Sequence, residues 1–145
     1  MLERGSLDLI EQGEYIHKAV VVMVRSFVKE WKEFKFRFDV LHGCSTGRGI
    51  VAYVDGAWEE MKIPLQVLSV LDDLRIGMYV EDEGTWFSML IHCNKAEGYT
   101  TKYNYKSKPI FDVEPTNETY AEDFKYFPRS PDLTPEWLRD KIAEA

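Results

Sequence analysis

Residues 34–39 alternate strictly: Phe34, Phe36 and Phe38 are apolar, while Lys35, Arg37 and Asp39 are charged. A period of two puts successive side chains on opposite faces, so this stretch predicts a half-buried strand. The chain before it has a different rhythm. Apolar residues at Ile10, Val20, Val24, Phe27 and Val28 predict an amphipathic first helix, with Ser6 as N-cap and Arg25, Lys29 and Lys32 on its opposite face. The run AVVVMV at residues 19–24 is rich in β-branched side chains, and a strand starting there is the alternative. After the aromatic strand, HGCSTGRG at residues 42–49 predicts a loop and residues 50–54 a second strand. Asp55-Gly56 predicts a type I′ hairpin turn, from which residues 57–63 return as a third strand.

Pro64 suits the first position of a second helix, where its missing N–H costs nothing. Leu65, Leu68, Leu71, Leu74 and Met78 then recur at spacings of three and four, which makes one apolar face. Residues 85–91 read as a strand, 94–98 as a turn and 99–105 as its return, with Tyr99, Thr101, Tyr103 and Tyr105 on one face. Further on, Tyr120, Phe124 and Phe127 predict a helix that Asn117 caps and Pro128 stops. Thr134-Pro135-Glu136 opens another helix, anchored by Trp137 and Leu138, with Thr134 as N-cap. Strands joined by tight turns predict an α+β fold: an antiparallel sheet of about five strands, helices packed on one face, and a C-terminal helical clasp. No segment reads as a linker, so residues 1–145 are expected to form one domain.

Charge changes the picture more than bulk composition does. The net charge is −7, and residues 111–145 hold nine of the 25 acids but only four of the 18 bases. That balance argues against nucleic acid as a partner, because a phosphate backbone rewards clustered Lys and Arg. It suits a basic partner instead. The N-terminus lacks the basic start and apolar run of a signal peptide, and AVVVMV is far too short to cross a bilayer. Two cysteines, Cys44 and Cys93, are not the framework of a small secreted domain. The expectation is a cytoplasmic protein with reduced thiols and no membrane partner.

HGCSTGRG is the stretch most like an active site, since glycine N–H groups and Arg48 can bind phosphate. The three residues between Cys44 and Arg48 are too few for a phosphatase-type loop, and a P-loop's Gly-Lys-Ser/Thr ending is missing. No catalytic residue is expected, although a small thiol enzyme using Cys44 and Arg48 remains the alternative. His42, Cys44, His92 and Cys93 are zinc-ligand types. Adjacent strand residues such as His92 and Cys93 point to opposite faces, however, and neither metal nor cofactor is expected. Glu81, Asp82 and Glu83, with Asp72 and Asp73 on the preceding helix, form either a solvated turn or an acidic surface kept for a basic partner. These carboxylates are the candidate partner-binding residues.

The last quarter of the chain carries a resemblance. Tyr103-Asn104-Tyr105, Pro109-Ile110-Phe111, the run YAEDFKYFPR at residues 120–129 and Pro135-Glu136-Trp137-Leu138 together resemble the C-terminal signature of the YezG-like antitoxin and immunity family. The helix at residues 71–75, Trp86 and the turn at Gly98 are similar to that family's elements over residues 60–140. The signature positions are Trp86, Tyr103, Tyr105, Tyr120, Asp123, Phe127, Pro128 and Trp137. The resemblance implies a single immunity domain without enzyme activity, which binds and neutralises a cognate secreted bacterial toxin, a basic nuclease. A third reading is a regulatory domain whose aromatic tail binds a peptide or another subunit, and exposure of Trp137 or Phe127 would favour it.

Overall fold

The computed structural model describes residues 2–145. The alternating aromatics lie within a long strand, β1 (Trp31–Leu41). Phe34, Phe36, Phe38 and Val40 are all buried on one of its faces, each contributing about 1.5–3 kcal/mol through burial. β1 is the central strand of a five-stranded antiparallel sheet ordered β3-β2-β1-β4-β5. The others are β2 (Cys44–Tyr53), β3 (Trp58–Glu60), β4 (Ser88–Asn94) and β5 (Gly98–Asn104). With its four helices this is an α+β fold.

Helices α1 (Leu9–Arg25) and α2 (Leu65–Gly77) cover the aromatic face. Ala19, Val20 and Met23 from α1 and Val67, Val70, Leu71 and Leu74 from α2 meet the β1 aromatics and Trp86 in the main core. AVVVMV is therefore helical, because its buried members fall at spacings of three and four. Asp8, not Ser6, caps α1: its carboxylate accepts the Glu11 N–H at 2.8 Å, and the Glu11 carboxylate accepts the Asp8 N–H at 3.1 Å. That reciprocal pair satisfies two otherwise orphaned donors, which a lone serine cannot do. Phe27 lies beyond the helix and packs among Trp31, Phe34 and Tyr53, while Val28 is exposed. In α2 the buried stripe passes through Val67 and Val70, so Leu65 faces solvent, and Pro64 occupies the N-cap position.

HGCSTGRG is not a loop. Only His42 and Gly43 turn, with Gly43 at φ 76°, and Cys44 already pairs with Leu41. Gly47 and Gly49 belong to β2, where an added Cβ at Gly47 would strike Leu68 and one at Gly49 would strike Met61 and the Lys35 carbonyl. These glycines mark close approach rather than turning. At the next hairpin only Gly56 has positive φ, so the type I′ turn does not form. The Asp55 carboxylate instead accepts the Ala57 N–H at 2.9 Å, a side-chain-closed turn, and β3 is only three residues long. β4 begins at Ser88, later than expected; Trp86 enters the main core and Phe87 a second one.

The clasp is built from α3 (Asn117–Tyr126), a 3-10 turn (Pro131–Leu133) and α4 (Glu136–Ala143). Its caps sit one residue from the expected positions: Thr116 caps α3, and Pro135 occupies the N-cap position of α4. Thr134 donates its hydroxyl to the Ser130 carbonyl at 2.9 Å. The clasp folds onto the sheet face opposite α1 and α2, where Tyr120 and Leu138 join Leu41 and Phe87 in the second core. Two buried guanidinium groups fasten it. Arg75 of α2 makes a forked pair with Asp123 of α3 at 2.6 and 3.0 Å and donates Nε to the Trp86 carbonyl at 2.7 Å. Arg129 donates to the Thr85 and Tyr105 carbonyls, both at 2.6 Å, and lies 4.3 Å over the Phe87 ring. Among the described residues, no helix is long and apolar enough to cross a membrane.

Candidate functional site

The acidic candidates come together in part. Asp72 and Asp73 lie on α2. Beyond its end, a tight bridge between Val80 and Gly84 folds the chain back, with Asp82 at φ 66°. Asp72, Asp73, Glu81 and Asp82 thereby line one concave surface of about 1150 Å³, together with Glu3, Arg4 and His42. Glu83 is not part of it, since its backbone bridges to Arg129. Arg4 is tied down by donating to the Tyr126 carbonyl at 2.7 Å, and the His42 ring stacks on Tyr126 at 3.7 Å. Burial raises the Asp72 carboxyl above the ordinary carboxylate range; Arg75 opposes that shift and Asp73 adds to it. The surface is a concavity lined by carboxylates, suited to meeting a cationic face.

A second surface was not anticipated. Residues 105–116 cross the clasp-side face of the sheet as a strap. There the Ile110 N–H donates to Asp39 at 3.0 Å and the Asp112 N–H to Thr46 at 3.3 Å. Below the strap the face is uncovered, and a groove of about 790 Å³ runs across all five strands. Strand register puts Lys35 beside Ile50 and His92, Arg37 beside Arg48 and Leu90, and Leu90 beside Lys102. Arg37 pairs with Asp39 at 2.7 Å, Arg48 with Asp112 at 3.4 Å and His92 with Glu33 at 2.8 Å. Lys35 and Lys102 have no ion-pair partner among the described residues. The sequence held one signal for this surface: Ile50 and Leu90 stand on the polar side of their strands, and both are exposed.

The thiol alternative finds no anion-wrapping loop. Cys44 and Arg48 lie in β2, four positions apart along one strand, about 13 Å at the usual rise. Burial and the Glu114 carboxylate both push the Cys44 thiol up, away from the reactive thiolate. His92 is exposed and Cys93 buried, on opposite faces as expected. Among the described residues, no three His, Cys, Asp or Glu side chains gather in a metal-holding group.

The signature residues assemble the joint between clasp and sheet. Trp86 packs against Tyr103 at 5.4 Å, and the Tyr105 carbonyl receives Arg129. The Tyr120 hydroxyl donates to Glu114 at 3.2 Å, and Asp123 holds Arg75. Phe127 lies under the Arg75 guanidinium at 4.7 Å, and the Pro128 carbonyl accepts the Tyr79 hydroxyl at 3.1 Å. Trp137 packs on Phe87 at 5.1 Å and donates Nε1 to the Lys106 carbonyl at 2.7 Å. Phe127 is buried and Trp137 is packed, so the tail does not present the open aromatic surface that a peptide-gripping module needs. No protein-family model matches this chain, and no curated protein does either.

Proposed function

We propose that this protein is a cytoplasmic immunity protein of the YezG-like kind, which binds a basic nuclease toxin and holds it inactive in the cell that makes both. The observation that carries the reading is the convergence of Asp72, Asp73, Glu81 and Asp82 on one concave surface, from two separate segments of a protein with net charge −7. A nuclease face that attracts phosphate also attracts a fixed array of carboxylates, which speeds encounter and sets orientation. The clasp signature supports the same reading, because it supplies the frame that holds α2 and the acidic turn in place.

On this reading the neighbouring gene encodes the toxin, and co-expression with that gene's product tests the proposal. The intact protein is expected to restore growth and suppress nuclease activity, and failure to do so overturns the reading. A variant with Asp72→Asn, Asp73→Asn, Glu81→Gln and Asp82→Asn is expected to associate about tenfold more slowly at low salt, with a flatter salt dependence. Association at the unchanged rate would remove the acidic concavity from the interface.

A further inference from the structure

We infer that the uncovered half of the sheet face is a second binding surface, for an extended acidic segment of a partner polypeptide. Charge complementarity carries it. The groove is lined by Lys35, Arg37, Arg48 and Lys102 against the carboxylates of Glu60 and Asp112, a cationic patch on a protein whose net charge is −7. Lys35 and Lys102 are exposed and lack ion-pair partners among the described residues, so their charge is available to a ligand. Ile50 lies beside Lys35 and Leu90 beside Lys102, 47% and 40% exposed, on a face where the sheet pattern calls for polar residues. At the rim the strap adds Ile110, 54% exposed.

The shape specifies an extended occupant. Arg48, Arg37, Leu90 and Lys102 form one row across β2, β1, β4 and β5. Three strand spacings make that row about 14 Å long, the reach of a segment of about five extended residues. Acidic side chains at alternate positions of such a segment all point toward the sheet and meet the cations, while the residues between them face solvent. A second copy of this chain is the poorer occupant, because the same patch would face itself with like charge. Nucleic acid is poorer too, because no exposed aromatic ring lines the groove for bases to stack on.

The inference goes beyond toxin neutralisation and stands apart from it. The probe is a twelve-residue peptide of alternating Glu and Val, titrated into the full-length protein while backbone amide signals are followed. Shifts are expected in β1, β2, β4 and β5 around Lys35, Ile50, Leu90 and Lys102. The Lys35→Glu/Lys102→Glu variant is expected to bind at least about tenfold more weakly with an unchanged melting midpoint. Lys35→Gln/Lys102→Gln is a milder second variant, also expected to bind more weakly. The inference is overturned by no shifts at about 1 mM peptide, by shifts centred on the acidic concavity, or by an affinity in both variants equal to that of the unsubstituted protein. Tighter binding of a twelve-nucleotide oligothymidine than of the peptide overturns it as well. Both variants are expected to retain full protection in co-expression, so failure here leaves the immunity reading standing.

Discussion

Asp72 is placed against its own charge. Burial raises its pKa, Asp73 adds to the shift, and Arg75 offsets only part of it. The folded protein therefore holds this proton more tightly than the unfolded chain does. For a carboxyl raised in the folded state, stability falls as pH climbs from the ordinary carboxylate range through the raised value, and the penalty is complete above it. Asp72→Asn is expected to raise the melting midpoint at pH 7, and the two proteins should converge as the pH falls below about 3.9, where Asp72 is protonated in the folded and the unfolded chain alike. Thermal melts across that range check this. A lower midpoint at pH 7 would mean that attraction to Arg75 outweighs desolvation. A carboxylate kept at a cost to stability on a concave acidic surface is the pattern expected where function competes with folding.

At the scale of elements, the clasp depends on pairing that no local pattern encodes. Arg75 and Asp123 are 48 residues apart and almost fully buried, and Asp123 also accepts the His42 backbone N–H at 2.6 Å. Removing one partner leaves an uncompensated charge in the interior, so Arg75→Met is expected to cost about 3–5 kcal/mol. Adding Asp123→Leu should recover much of that loss, though not all, because the orphaned His42 N–H retains a cost of about 1–3 kcal/mol. Urea unfolding of the two single variants and the double checks the cycle; additive losses would show that the pair is not coupled. What was legible in the sequence follows the same division. β1 and α1 announced themselves because periodic burial leaves a periodic pattern, and four of the five acidic candidates do share a surface. The first six residues of β2 were hidden because Gly47 and Gly49 serve close packing and look like loop residues. The sheet groove was hidden because it is made of strand register, which sets Arg48, Arg37, Leu90 and Lys102 in one row from four separate strands.

For the whole molecule, the two cores are not independent layers. β1 contributes Phe34, Phe36 and Phe38 to one and Leu41 to the other, and the adjacent residues Trp86 and Phe87 divide between them. Arg75 reaches from the α2 side to grip the clasp, so loss of the clasp is felt on both faces of the sheet. Ending the chain before Glu118 removes Tyr120, Phe127 and Leu138 from buried positions, takes Asp123 from Arg75, and takes Arg129 from the Thr85 and Tyr105 carbonyls. Burial at about 1.5–3 kcal/mol per apolar side chain, together with the uncompensated Arg75, puts the loss on the order of 10 kcal/mol. That is comparable with the entire stability of an ordinary domain, about 5–15 kcal/mol. The shortened protein is therefore expected to show no cooperative thermal transition and no near-ultraviolet circular dichroism, whereas the full chain melts in one step. A shortened protein that melted as the full chain does would show that the clasp rests on the sheet without supporting it. The acidic concavity would then have to be held by α2 and its turn alone.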